Sequence, residues 1–216
     1  MKAIHRGSRT FLRGPFLVPI CGFDPRAFVE SKLLVLGIGN PLLSDDGFGP
    51  AVLARVRRQI GEKDGVEFVD VSTGSLRLAE EIADHEQVVL IDAFATGEAE
   101  PGTMYELILT DTGGTYHLSL AGDTPPLDRD VFINSIGRAW SAHEVDLMMA
   151  IKLMVRDLGR TPPKRIYVFG VEAQDVTTFS EELTDRVSES VETVAESVGA
   201  KVRALLDGRT GGGDAR

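Results

Sequence analysis

Lys32-Leu33-Leu34-Val35-Leu36-Gly37-Ile38 runs straight into Gly39-Asn40-Pro41-Leu42-Leu43-Ser44-Asp45-Asp46-Gly47-Phe48-Gly49-Pro50, and this junction decides the fold. An unbroken apolar run that ends in glycine-rich sequence reads as a strand buried on both faces, the signature of a parallel sheet. Beyond the loop, Phe48, Val52, Leu53, Val56 and Ile60 recur at helical spacing. Working outward, residues 66–71 read as a second strand, 76–85 as a short helix and 88–94 as a third strand. Residues 102–109 form a fourth, introduced by Pro101-Gly102 turn chemistry. A helix over 142–159 and a strand over 165–171 follow. The last helix presents Val187, Val191, Val194, Val198, Val202 and Leu205 as one stripe, with Thr184 as its cap. This alternation predicts an α/β fold: a three-layer sandwich with a mostly parallel twisted sheet and helices on both faces.

The chain has 216 residues, enough for one such domain with a substantial core. A net charge of −10 and the absence of a basic patch argue against nucleic-acid binding. No apolar run approaches the length of a membrane span. The single cysteine, Cys21, excludes an internal disulfide framework and a cysteine-based zinc knuckle, and a cytoplasmic location is expected. Residues 1–31 differ from the rest: they are Arg-rich and interrupted by Pro15, Pro19 and Pro25. The apolar stretch Phe16–Phe23 is short and broken by Pro19, which argues against a secretory signal. The segment is either an extension or the product of a mis-assigned start, and its removal is expected to leave a folded domain. Residues 32–207 form the domain, and 208–216 read as a flexible tail.

In open α/β sheets ligands collect at the carboxyl ends of the strands, so the residues that follow each strand carry the functional reading. The first loop fails as a dinucleotide fingerprint because Leu42 occupies the third glycine position, and it holds no Gly-Lys-Ser/Thr phosphate cradle. Its paired acids, Asp45 and Asp46, favour a cation. Taken in isolation, such a pair more often caps a helix. One division of labour gives the cap to Asp45 and leaves Asp46 free to reach the sheet edge. Asp92 follows Val88-Val89-Leu90-Ile91 directly, so it is a strand-end carboxylate that must be paired, hydrogen-bonded or metal-bound. Its plainer role is to bind neighbouring loop amides. Ser141-Ala142-His143-Glu144 forms a capping box that places His143 in a first helical turn. The dipole there keeps the ring neutral and able to ligate. A backbone-bonded histidine is the commoner alternative, and it is the reading given to His5, His85 and His117. Met148, Met149 and Met154 are read as core filler. Asp46, Asp92 and His143 together make a plausible open site for a first-row divalent metal.

The segments 37–52, 89–94 with 101–107, 141–144 and 168–173 resemble, in that order, the motifs of the hydrogenase maturation proteases. The resemblance covers residues 32 to about 205, and its first motif and Ser-x-His-Glu are specific. It implies an endopeptidase that removes a C-terminal peptide from the large-subunit precursor of a [NiFe] hydrogenase. It further implies metal ligands at Asp46, Asp92 and His143, and nickel presented by that precursor. Other divalent metals are expected to fill the site in isolation. The sequence departs from the family where Asp70-Val71-Ser72-Thr73-Gly74 replaces the usual Asp-Gly-Gly-Thr. The stretch 111–138 is long and reads as a lid or a partner-specific surface. Two other classes stay open: a conventional metal-dependent hydrolase of a small substrate, and a non-catalytic chaperone that senses the nickel site.

Overall fold

The computed structural model describes residues 33–71, 75–128, 130, 151 and 159–210. Strands β1 (Leu33–Ile38), β2 (Val66–Val71), β3 (Gln87–Phe94), β4 (Met104–Asp111), β5 (Tyr116–Ala121) and β6 (Arg165–Glu172) form one sheet. Their order across it is β2-β1-β3-β6-β4-β5. The first four in that order run parallel, while β4 pairs antiparallel with both β6 and β5. Helices α1 (Phe48–Ile60), α2 (Ser75–Ile82) and α3 (Asp185–Thr210) are described.

Every residue of β1 is buried, and its side chains alternate between two cores. Leu33 and Val35 join Val52, Val56, Val194 and Val198 beneath α1 and α3. Leu34 and Leu36 join Leu78 and Ile82 of α2 on the opposite face, together with Ile151. The expected sandwich is therefore present, with apolar burial on both faces supplying most of the drive to fold. Among the described residues, no helix is long and apolar enough to cross a membrane.

Three local readings change. Helix α2 stops at Ile82, short of the expected residue 85. Asp84 takes a left-handed φ of 65°, and its N–H goes to the Thr161 carbonyl instead of continuing the helix. Part of the long stretch after Asp111 is strand β5, which pairs back on β4 through the turn at Gly113 and Gly114. At the other end, α3 continues through Thr210, three residues into the expected tail. The proposed N-terminal extension 1–31, the Ser72–Gly74 departure, the capping box at 141–144 and the three methionines lie outside the described residues.

Candidate active site

Strand β1 is followed by crossovers that carry the chain first to β2 on one side and then to β3 on the other, so chain direction across the sheet reverses between β1 and β3. A crevice opens at the carboxyl ends of two such strands. The ladder between β1 and β3 ends at Gly37 opposite Ile91, while β3 continues beside β6 as far as Phe94 opposite Glu172. Asp92 is the first residue of β3 past the end of that β1 ladder.

The first loop folds back over the crevice. Gly39 adopts a φ of +127°, and a Cβ there would lie 1.8 Å from the Asp46 carbonyl oxygen, so only glycine permits the turn. Asp46 Oδ2 accepts the Asn40 N–H at 2.6 Å, and no other described residue donates to this carboxylate. Burial raises the Asp46 pKa and the Asn40 bond partly opposes the rise. The carboxylate is thus half-buried, oriented by one bond and under-solvated. Ser44, two residues earlier, has a φ of 49°, a conformation rarely populated by non-glycine residues. Its backbone is held there by Ser44 N–H donating to the Ser180 carbonyl at 2.8 Å.

Asp45 does not cap the helix. It is 0% exposed. Its Oδ2 accepts from Gln174 N–H at 2.8 Å, Asp175 N–H at 3.0 Å and the Thr184 hydroxyl at 3.0 Å, and its Oδ1 accepts Thr184 N–H at 2.7 Å. Helix α1 begins after Gly47 with no side-chain cap. The paired acids therefore divide their work differently from the local reading: Asp45 fastens the first loop to the segment before α3, which presents Asp46 at the crevice. Thr184 stands one residue ahead of α3 as expected, with its carbonyl accepting Ser188 N–H and its hydroxyl committed to Asp45.

Asp92 is 3% exposed, and its Oδ1 accepts the N–H of Ala93 at 2.9 Å. By strand alternation it shares a face with Val88, Leu90 and Phe94, the face whose core includes α2 and Ile151. The 3-10 turn Ser44–Gly47 packs on β3, so the loop bearing Asp46 and the strand bearing Asp92 meet at the crevice. His143 lies outside the described residues. Among the described residues no three His, Cys, Asp or Glu side chains gather as a metal site.

Sequence reasoning passed over Glu172, although the signal was the same as for Asp92: an acid closing an apolar strand. Glu172 is 2% exposed and accepts from the Thr96 hydroxyl at 2.7 Å, Gly97 N–H at 2.7 Å and the Tyr105 hydroxyl at 2.9 Å. It ties the segment leaving β3 to β4. Burial, followed by the Glu172 contact, pushes the Tyr105 pKa up to about 12. Tyr105→Phe removes one donor from a buried carboxylate and is expected to cost about 1–3 kcal/mol, read as a lower urea midpoint at unchanged slope. An unchanged midpoint would take Tyr105 out of this network.

No protein-family model matches the chain. It is 28% identical over 172 residues to the hydrogenase 2 maturation protease of Escherichia coli K12, covering 80% of this chain and 91% of that one. Over a shorter 73-residue stretch, 34% of this chain and 36% of the relative, it is 37% identical to the hydrogenase expression/formation protein HupD of Rhizobium leguminosarum. Among solved structures, the hydrogenase maturating endopeptidase HybD of E. coli superposes with a TM-score of 0.59 at 25% identity, covering 81% of this chain and 93% of HybD. The HybD maturation protease of Thermococcus kodakarensis shares the fold, with a TM-score of 0.50 at 24% identity over 79% of this chain and 99% of that one. The motif order and the near-full-length likeness to the E. coli protease agree: this chain is similar in sequence and fold to the hydrogenase maturation proteases.

Proposed function

We propose that this chain is the endopeptidase that removes the C-terminal peptide from a nickel-loaded [NiFe] hydrogenase large-subunit precursor, reading the nickel through Asp46, Asp92 and His143. The observation that carries the reading is the meeting of the Asp46 loop and the Asp92 strand at the switch-point crevice. Two carboxylates and one imidazole, without thiolate, form a donor set suited to a first-row divalent ion but not to holding one tightly. Nickel belongs to the substrate on this view, and it supplies docking energy and polarises nearby carbonyl and water oxygens.

The chain's own residues do the rest. Asn40 orients the Asp46 carboxylate. Burial raises its pKa, which makes it a better proton acceptor and donor atom. Asp92 is placed by its strand, which leaves little freedom to move off geometry. Hydrolysis then consists of water oxygen attacking the scissile carbonyl carbon, cleavage of the C–N bond, and delivery of the water proton to the departing amine. A weak, open site suits an enzyme that must sense a metal held by its partner and then let go.

The test is mass measurement of matched apo and nickel-loaded precursor after incubation with this protein. Loss of the C-terminal peptide from the loaded form alone is expected. Equal cleavage of both forms would remove nickel gating. Tight binding without shortening would favour a chaperone, and turnover of small substrates without the precursor would favour a conventional metal hydrolase.

A further inference from the structure

Three large apolar side chains are prominently exposed among the described residues: Leu42, Leu120 and Phe179. Two of them, Leu42 and Phe179, flank a bridge between the loop that carries Asp46 and the segment before α3. Leu43 and Ser180 form a parallel bridge, with Ser180 N–H donating to the Leu42 carbonyl at 3.0 Å and Ser44 N–H to the Ser180 carbonyl at 2.8 Å. That register sets Leu42 opposite Phe179, on the side of the bridge away from Leu43 and Ser180. Leu42 is 39% exposed and Phe179 is 78% exposed.

The pair is held on a stiff frame. Asp175 Oδ1 accepts Thr177 N–H, the Thr177 hydroxyl and Thr178 N–H at 2.8 to 3.0 Å, which fixes the turn just ahead of Phe179. Behind it, Ser180 Oγ accepts Glu182 N–H at 3.0 Å. A preorganised aromatic side chain left in water loses little further entropy when a partner covers it. The surroundings are acidic: Asp46 lies on the same loop as Leu42, and exposed Glu181 and Glu182 follow Phe179.

We propose that Leu42 and Phe179 are a docking pair for the protein substrate, seating an apolar side chain of an extended segment that carries positive charge next to it. The proposal rests on the proteolytic reading above. The acidic border repels anionic lipid headgroups and phosphate backbones and selects a cationic peptide. Two side chains offer far less area than the roughly 1,000 Å² a stable pair of protein copies buries, so a second copy of this chain is a poor occupant. Leu42 lies on the same loop as Asp46, so the pair is continuous with the loop that presents a crevice acid.

The test uses the Leu42→Ser/Phe179→Ser double variant of the full chain, with nickel-loaded precursor as the probe. KM is expected to rise about tenfold while kcat stays within about twofold, and the thermal melt should not move. Phe179→Leu should recover most of the loss. A wild-type KM in the double variant overturns the proposal. So does a fall in kcat accompanied by a lower melt, because the pair would then belong to the frame. If the wild-type protein leaves the precursor uncut, the proteolytic reading fails by itself. Direct binding of the precursor then decides docking, with about tenfold weaker binding expected for the double variant. Self-association of the wild type that the double variant loses would hand the pair to a second copy and overturn the assignment.

Discussion

Asp45→Ala is expected to lower stability by about 3–5 kcal/mol, while Asp46→Ala, one residue on, changes it by less than about 1 kcal/mol and abolishes processing. Asp45 accepts four hydrogen bonds in a fully buried position. Its removal strands the N–H groups of Gln174, Asp175 and Thr184 together. Each buried donor left unsatisfied costs about 1–3 kcal/mol, and entering water recovers part of that. A fall in melting temperature on the order of 10 °C follows. Asp46 has the opposite balance. Its folded-state pKa lies above its ordinary value, so at neutral pH the ionised carboxylate is destabilised by the fold. Removing it relieves that cost and forfeits the Asn40 bond, and the two nearly cancel. Loss of a ligand contact worth about 4 kcal/mol would slow cleavage about a thousandfold. Asp92→Ala and His143→Ala should lose processing likewise. Calorimetry beside precursor mass measurement separates the classes. A wild-type melt for Asp45→Ala would dissolve the clamp, and full processing by Asp46→Ala would remove it from the site.

Gly49→Ala should be comparably severe for a different reason. A Cβ on Gly49 would lie 2.1 Å from the Ile38 carbonyl oxygen and 2.6 Å from that of Ile91. Both are backbone atoms of β1 and β3, so no side chain can swing aside. Helix α1 would have to lift from the carboxyl ends of the two strands that border the crevice. A cost of about 3–5 kcal/mol is expected, with processing lost in the fraction that still folds. Gly61→Ala is the control. Gly61 combines a φ of +73° with a ψ of −178°, a region nearly confined to glycine, and has nothing within 4 Å of a built Cβ, so only backbone strain of about 1–3 kcal/mol applies. Equal urea midpoints for the two variants would show that the close approach is not what constrains Gly49.

How much of this could be read in the chain depends on how local the deciding contact is. Strands β1 and β3 announce themselves because both of their faces are covered, leaving unbroken apolar runs. Strand β5 does not. Among the described residues Tyr-His-Leu-Ser-Leu-Ala pairs on one side only, at the end of the strand order, and it keeps Leu120 in water, so its pattern resembles a loop between turn signals. Asp46 and Asp92 could be singled out as candidates because position after a strand's carboxyl end is a local property. The role of Asp45 was misread because its partners lie 129, 130 and 139 residues away. Glu172 shared the strand-end signal but announced nothing about Thr96 or Tyr105, which reach it only through the register of β3, β6 and β4.

The length of the Asp45 fastening also governs when this protein can first act. The loop bearing Asp46 leaves the ribosome well before the donors that hold it, Gln174, Asp175 and Thr184, which follow Asp45 by 129, 130 and 139 residues. Domains fold as units during synthesis, and contacts of long sequence separation close last. An unfinished chain, or one cut before α3, therefore carries both crevice acids without the backbone that aims one of them. Cutting activity should switch on only once the chain has been made as far as Thr184, so that copies stalled or clipped before it meet the precursor harmlessly.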